Sequence, residues 1–256
     1  MTFSQLITSP WLVAAVFFFI AYAYSSVGLA GGSAYTALLA VMGFNSLAIP
    51  MISLVLNLIV TTAGSFNFIR SGHGRLSLVL PFLVSSIPMA YLGGTLQLPR
   101  DVFYWVLLLS LMFVAARLYI WKNTSFRLNL GAGRRLAVSL LAGAVLGLVA
   151  GIVGIGGGIY LVPLIIILGL GTTKEAAACG AVFIWLNSLS GLVARLQYNA
   201  IDLREYVPLI FAVFVGGALG SFIGAGRYSP QTMEKVLGVV VIVAIVLLFR
   251  KVLPGL

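Results

Sequence analysis

Long runs of apolar residues dominate this chain, separated by short breaks that carry charge, glycine or proline. The apolar positions are continuous rather than alternating, which favours helices over the alternating strands of a membrane barrel. A membrane-spanning helix needs about 20 apolar residues, so the pattern predicts an all-α, polytopic membrane protein with about eight hydrophobic segments. The predicted segments are 11–27 with a continuation at 34–43, then 48–69, 76–97, 102–121, 136–153 with a continuation at 159–169, then 175–195, 206–226 and 233–250.

Composition supports this interpretation. The chain has 256 residues, of which 61% are hydrophobic and 8% charged, with a mean hydropathy of +1.15. Soluble domains carry about 25% charged residues. The first segment has no Lys or Arg before it, so we interpret it as a retained span rather than a signal peptide. The lipid bilayer is therefore the first partner that the sequence predicts.

The two halves of the chain resemble each other. The basic connection 122–135 divides the chain into a first four-helix repeat at 1–121 and a second at 136–256. Residues 27–43 align with 153–169 with six identities in 17 positions, four of them glycine. We interpret this as an ancient tandem duplication.

Matched residues further along each half support the duplication. Asn57 corresponds to Asn187 in the next segment, and the step from Pro81 to Gly93 recurs from Pro208 to Gly220.

The distribution of basic residues leaves two topologies open. If every segment crosses once, the basic residues divide 11 to 4 and both termini are cytoplasmic. If the first and fifth segments are re-entrant hairpins, the halves become inverted repeats, the division is 10 to 5 and the termini lie outside. Charge counting prefers the first topology only weakly.

Dense glycines interrupt the first and fifth segments. Each glycine in a helix interior is unfavourable by about 1 kcal/mol relative to alanine, so we expect the interruptions to have a function. In transporters built from repeats, broken helices aim their N-terminal amides at anionic substrate groups. The predicted substrate-binding residues are Gly28, Gly31, Gly32, Ser33, Asn57, Gly154, Gly156, Gly157, Gly158, Ile159, Tyr160, Pro163 and Asn187.

Other small and polar residues in the segments have structural interpretations. Glycines four apart form two rows that we expect to be helix-packing surfaces: Gly143, Gly147 and Gly151, and Gly216, Gly220 and Gly224. For Asn57 and Asn187, interhelical bonding and substrate contact are evenly balanced. Thr61, Thr62 and Ser188 are expected to bond their own helix backbones.

Several chemistries are excluded or disfavoured. A single cysteine, Cys179, and a single histidine, His73, exclude an intrachain disulfide and the usual structural zinc sites, so no metal or cofactor is predicted. The net charge of +10 is scattered through loops, which speaks against nucleic-acid binding. An intramembrane hydrolase could use Ser33, but no acid is placed to orient a histidine, so no catalytic residue is predicted.

Three stretches carry a resemblance to a known family: "GIVGIGGGIYLVP", the following "TTKEAAACGAVFIWLNSLSG", and the weaker first-half copy "YSSVGLAGGSAYTALLAVMGF". They resemble the TauE/SafE family of sulfite and organosulfonate exporters. The resemblance implies a multi-pass inner-membrane transporter of a small inorganic or organosulfur anion, such as sulfite or sulfoacetate, built from two four-helix repeats. The first half departs from the pattern at Ala30 and Ala37.

The mechanism expected from the sequence is uniport-like export. The five acidic residues all fall at segment ends, so no proton relay is visible, and the membrane potential could drive an outgoing anion. Backbone amides rather than arginine are expected to hold the anion. A leucine at Gly157 or Gly158 is then expected to abolish flux in a folded protein. The alternatives are an anion channel or a scaffold without transport, and assembly into a homo-oligomer is compatible with the sequence.

Overall fold

The computed structural model describes residues 10–96, 98–119 and 131–226, with positions 242, 243, 245, 246 and 249 near the C-terminus. Every regular element in these residues is a helix, so the predicted all-α class is confirmed. Five of the described helical stretches are long and apolar enough to cross a membrane. Most of the basic connection 122–135, and all but those five positions of the predicted segment 233–250, lie outside the described residues.

Nine α-helices make up the described part of the chain. They are α1 Pro10–Ser25, α2 Gly32–Val41, α3 Ala48–Phe68, α4 Leu76–Thr95, α5 Arg100–Tyr119, α6 Ala132–Val153, α7 Gly158–Ile167, α8 Thr173–Leu196 and α9 Val207–Gly226. A π-helical turn, Ile69–His73, follows α3, and a 3-10 turn, Leu203–Tyr206, precedes α9.

The chain reverses direction between α1 and α2. The ring of Tyr35, near the start of α2, stacks on Phe17 with centroids 5.1 Å apart. Two turns nearer the interruption along α1, the Tyr24 hydroxyl lies 3.0 Å from Ser33 Oγ. Because residues early in α2 lie beside residues late in α1, α2 runs back toward the end from which α1 starts.

A similar reversal separates α6 from α7. Tyr160, near the start of α7, lines one cavity together with Leu146 and Val149 of α6. A Cβ placed on Gly157 would lie 3.3 Å from Ala150 Cβ, one turn before the end of α6. The helices α6 and α7 therefore form a second hairpin.

Left-handed glycines form both reversals. Gly28 and Gly31 have φ of +77° and +98°, and Gly154 and Gly157 have φ of +81° and +78°. Only glycine adopts this conformation without strain. Gly154 follows Gly28 by 126 residues, and Gly157 follows Gly31 by the same number. The bounds of α7 are those of α2 shifted by the same number, and Gly31 and Gly157 cap the two helices.

The helices that carry Asn57 and Asn187 pack against each other in opposite directions. Trp185 Nε1 in α8 donates to Thr62 Oγ1 in α3 over 3.0 Å. A Cβ on Gly64 would lie 3.8 Å from Ala181, and one on Gly191 would lie 3.5 Å from Leu54. Residue numbers thus rise along α3 as they fall along α8, so the pair is antiparallel.

The two glycine rows are packing surfaces, as predicted. In α6, Cβ positions on Gly143, Gly147 and Gly151 would meet backbone carbonyls of Phe82, Ser86 and Ala90 in α4. In α9, those on Gly216, Gly220 and Gly224 would meet carbonyls of Phe18, Tyr22 and Ser26 at the end of α1. Each half thus packs a helix against the hairpin of the other half. The division at 122–135 remains a prediction.

Four arginines lie at one end of the helix bundle, and we call it the arginine-rich end. They are Arg70, Arg75, Arg134 and Arg135. A cavity of about 480 Å³ there is lined by Arg75, Arg135 and Leu170. Arg75 also lies 3.4 Å from Glu175 in the first turn of α8. The starts of α4, α6 and α8 therefore lie together at this end.

We predict that residues at the starts of α6 and α8 are labelled from the same side of the membrane, because the α6–α7 hairpin returns the chain to the arginine-rich end. In a Cys179→Ala background, Gly133→Cys and Thr173→Cys should react with an impermeant thiol reagent from one side. Leu203→Cys, beyond α8, should react only from the other side. Labelling of Gly133→Cys and Thr173→Cys from opposite sides would contradict the hairpin.

Candidate substrate site

The tips of the two hairpins touch. A Cβ placed on Gly32, the first residue of α2, would lie 2.6 Å from the carbonyl oxygen of Ile155 in the second interruption. It would lie equally close, at 2.6 Å, to the Asn57 side-chain nitrogen. Only a residue without a side chain fits between these groups. The first turn of α2, the second interruption and the middle of α3 therefore meet at one point.

Asn57 is the polar side chain at this point. It is fully buried, and its Nδ2 donates to the carbonyl of Gly154 over 3.2 Å. The same nitrogen lies 3.1 Å from a Cβ position on Gly156. Its oxygen Oδ1 is buried and has no partner among the described residues. Asn57 thus makes an interhelical bond to the second interruption, and its role toward a substrate remains a prediction.

Both short helices begin with unpaired amides: α2 begins at this point, and α7 begins two residues after Gly156. In α2 the first backbone bond is donated by Tyr35 to Gly31, over 2.9 Å. In α7 the first is donated by Tyr160 to Gly157, over 3.1 Å. Within the described part of the chain no acceptor reaches the amides that precede these, namely those of Gly32, Ser33 and Ala34 in α2, and of Gly158 and Ile159 in α7. Each hairpin therefore carries unpaired amides and the positive end of a helix dipole directly after its interruption.

Two buried hydroxyls add donors that the sequence did not identify. Ser188 Oγ has no partner among the described residues and lies 3.1 Å from a Cβ position on Gly156. The Tyr35 hydroxyl also has none, and it lies 3.0 Å from a Cβ position on Gly31. The prediction that Ser188 bonds its own helix is wrong. It is confirmed for Thr61 and Thr62, which donate to Asn57 and Leu58 carbonyls over 2.6 and 2.7 Å.

The carbonyl of Gly32 is held by two hydroxyls. Thr36 Oγ1 donates to it over 2.6 Å, and Ser53 Oγ does so over 3.2 Å. Ser33 is buried and bonded to the Tyr24 hydroxyl. These bonds fix the start of α2. The single histidine, His73, lies apart from Ser33 in the partly exposed turn after α3.

The other predicted glycines are tightly packed. Cβ positions on Gly28, Gly154 and Gly157 would lie 2.5 Å from Ala177, 2.6 Å from Pro50 and 2.8 Å from Phe183, and one on Gly158 would meet Ile184. At Gly157 the positive φ adds backbone strain. The expectation that a leucine at Gly157 leaves the protein folded is therefore not supported. Gly32 and Gly158, whose φ is not positive, can be substituted without this backbone strain.

Four predicted residues are not brought to the hairpin tips by any described contact. The Tyr160 hydroxyl donates to the Ser110 carbonyl over 3.3 Å, beside an apolar cavity of about 300 Å³ between α5 and α6. Asn187 Nδ2 donates over 2.8 Å to the Phe183 carbonyl in its own helix. Ile159 lies in the hydrophobic core, and Pro163 lies inside α7.

Arg195 lies closer to the second interruption than the sequence indicated. It is the last residue of the predicted segment 175–195, yet the residue is only 3% exposed. Its Nη2 donates to the carbonyls of Gly151 and Ile152 over 2.8 and 2.7 Å. These carbonyls belong to the last turn of α6, directly before the interruption. The signal available in the sequence was an arginine inside a predicted membrane segment.

Comparison with known proteins places the chain in a family. The sequence profile described as "Sulfite exporter TauE/SafE" matches residues 13–248. The chain belongs to this family. A TauE/SafE protein is a membrane transporter, and the predicted multi-pass membrane location is confirmed.

Two named relatives carry transporter descriptions. "Probable membrane transporter protein y4hK" of Sinorhizobium fredii (strain NBRC 101917 / NGR234) is 35% identical over 236 residues, which cover 91% of this chain and 95% of the relative. "Probable membrane transporter protein YunE" of Bacillus subtilis (strain 168) is 28% identical over 106 residues, 41% of this chain and 38% of that protein. No solved structure matches the TauE/SafE chain.

We predict that Asn57→Ala destabilises the protein by about 1–3 kcal/mol, because it leaves the buried Gly154 carbonyl without a donor. Asn67→Ala is the matched control, since Asn67 is also on α3 and bonds across the bundle to Ser221 Oγ over 2.8 Å, but is only partly buried. The sole cysteine, Cys179, is buried. Its reaction with a fluorogenic thiol dye during heating measures unfolding. An Asn57→Ala shift no larger than that of Asn67→Ala would contradict the prediction.

Proposed function

We propose that this TauE/SafE protein exports a small sulfur-containing oxyanion, such as sulfite, from the cytoplasm, and that the two hairpin tips bind it. The observation that carries the proposal is the contact of the start of α2 with the second interruption at Asn57, with a glycine-capped, unpaired helix N-terminus in each hairpin. The family description names sulfite export, and the named relatives are described as transporters.

Helix N-termini suit an anion for a physical reason. Each carries roughly half a positive charge, and its first amides point along the axis at the ligand. Two such ends could stabilise one negative charge inside the bilayer. The unpaired hydroxyl of Ser188 supplies a further donor at the second interruption.

The surroundings of the tips are free of competing negative charge. Within the described residues the carboxylates lie at helix ends or in the turn before α9: Asp101, Glu175, Asp202 and Glu205. Because no carboxylate of the described residues lies in a helix interior, these residues offer no acidic proton path. A carboxylate-poor interior favours an anion as the transported species.

We also propose that the two halves are inverted repeats. Three observations support this arrangement: the equal spacing of the left-handed glycines, the matching bounds of α2 and α7, and the antiparallel packing of α3 against α8. Repeats in parallel orientation would place the equivalent helices α3 and α8 in parallel. Hairpins at the first and fifth segments correspond to the topology with termini outside.

The distribution of basic residues and the membrane potential both support export as the direction of transport. In the inverted topology the arginine-rich end carries 10 of the 15 basic residues and is assigned to the cytoplasm. The cavity lined by Arg75 and Arg135 opens at that end. An anion that leaves the cytoplasm moves down the membrane potential, which provides about 2.3 kcal/mol per charge per 100 mV.

Tight packing at the tips favours a carrier over a channel. Cβ positions on Gly32, Gly156 and Gly158 all fall within contact distance of neighbouring atoms. Binding an anion there requires the two tips to separate, so the conformation described is closed at the site. Movement of one hairpin relative to the other provides alternating access.

The experiment that tests this function is the flux of labelled sulfite in proteoliposomes containing the full chain. A carrier gives saturable flux that is accelerated by unlabelled sulfite on the opposite side. Flux that rises linearly with concentration would favour the channel. Vesicles whose flux equals that of protein-free controls would overturn the proposal.

We predict that Gly32→Ala lowers sulfite flux at least tenfold, because the added methyl must displace Asn57 or the Ile155 carbonyl at the meeting point. Gly158→Ala, which must displace Ile184, should act in the same direction.

Gly64→Ala is the matched control for these variants. It adds the same methyl in α3 with only an ordinary contact at 3.8 Å, and alanine favours the helix by about 1 kcal/mol. Its flux should equal that of the wild type. Unchanged flux in folded Gly32→Ala and Gly158→Ala proteins would place the substrate path elsewhere.

A further inference from the structure

Arg195 is a buried cation without a buried anion. Only 3% of its surface is exposed, and no carboxylate of the described residues lies within ion-pair distance of it. Its Nε is buried and has no partner in the described part of the chain. An isolated charge in an apolar interior is strongly unfavourable unless other groups compensate it. The two carbonyls that accept from Nη2 compensate only part of this charge.

Capping the end of α6 does not itself require a charge. At the equivalent end of α1, the hydroxyls of Ser25 and Ser26 bond to their own helix over 3.4 and 2.7 Å. Arg195 follows Asn187 by eight residues. Eight residues after Asn57, the counterpart of Asn187, stands Ser65. Neutral residues therefore occupy the equivalent positions in the first half. The second half retains a full charge where the first half has none.

The charge lies on one side of the hairpin tips. Arg195 is in the last turn of α8, whereas the first turn of α8 contacts Arg75 at the arginine-rich end. Its guanidinium reaches the last turn of α6, directly before the interruption. An anion that passes the tips from the arginine-rich end would next encounter this guanidinium.

We propose that Arg195 forms a second anion subsite on the outer side of the hairpin tips. This inference rests on the proposed export of an oxyanion. As the tips separate, the guanidinium exchanges a carbonyl of α6 for an oxygen of the anion leaving the amides. Its planar fork of donors matches an oxyanion, and its unpaired Nε supplies one donor without breaking an existing bond. Arg195 thus makes the outer half of the path selective for anions.

The test compares sulfite transport by Arg195→Gln, Arg195→Lys and the control Arg204→Gln in proteoliposomes. Arg204 is exposed in the turn before α9, beyond the same end of α8. Glutamine keeps a hydrogen-bond donor for the α6 carbonyls but removes the charge, and should raise KM by about tenfold or more, as loss of a charge-assisted bond does. Lysine keeps the charge without the fork and should raise KM by about threefold. Arg204→Gln should leave KM unchanged.

The outcomes separate the subsite from a purely structural role. If Arg195 only holds the end of α6, folded variants keep the wild-type KM and lose only maximal rate, which overturns the inference while the proposed function stands. Should Arg195→Gln fail to fold, Arg195→Lys decides, and an unchanged KM in that variant overturns the inference. Wild-type vesicles without saturable sulfite flux overturn the proposed function and the inference together.

Discussion

Inside a bilayer no water can satisfy a backbone amide or carbonyl, and this constraint governs the whole molecule. Unbroken helices meet it by pairing their own groups, so any interruption leaves polar groups that need partners. Here four carbonyls in or directly beside the interruptions have side-chain partners: Asn57 donates to Gly154, Arg195 to Gly151 and Ile152, and Thr36 and Ser53 to Gly32. The amides at the starts of α2 and α7 have none among the described residues. Side-chain donors thus pair several of the carbonyls beside the interruptions, while the first amides of α2 and α7 stay available, which is the polarity that an anion requires.

Sequence patterns predicted much of this arrangement because glycine density and apolar run length are local properties. Residues 154–157 lie between α6 and α7, and the two rows of glycine at four-residue spacing pack against helix backbones. The direction in which the chain continues after each interruption was not predictable. Basic residues divide 11 to 4 in one topology and 10 to 5 in the other, and the difference is too small to decide. The reversal depends on tertiary contacts such as Phe17 with Tyr35, which no local pattern encodes.

Side-chain roles at the site were less predictable than backbone roles. Asn57 and Asn187 were predicted to occupy matched positions, yet Asn57 reaches the opposite hairpin while Asn187 bonds its own helix. Tyr160 follows the glycines directly, but its hydroxyl bonds to α5. Arg195 stands at the end of a predicted segment, where arginine side chains ordinarily extend to the interface. Its orientation toward α6 depends on packing between α8 and α6. The two hairpins therefore share a backbone plan and differ in the side chains placed around them.

Amides at both hairpin tips are proposed to hold the transported anion. Hydrogen–deuterium exchange of the full chain in nanodiscs, followed by mass spectrometry with and without sulfite, tests it directly. Sulfite should slow exchange in peptides covering 30–34 and 155–159 and leave peptides from the middle of α4 unchanged. If exchange at both tips is unaffected by sulfite at concentrations that saturate flux, the amides do not hold the anion.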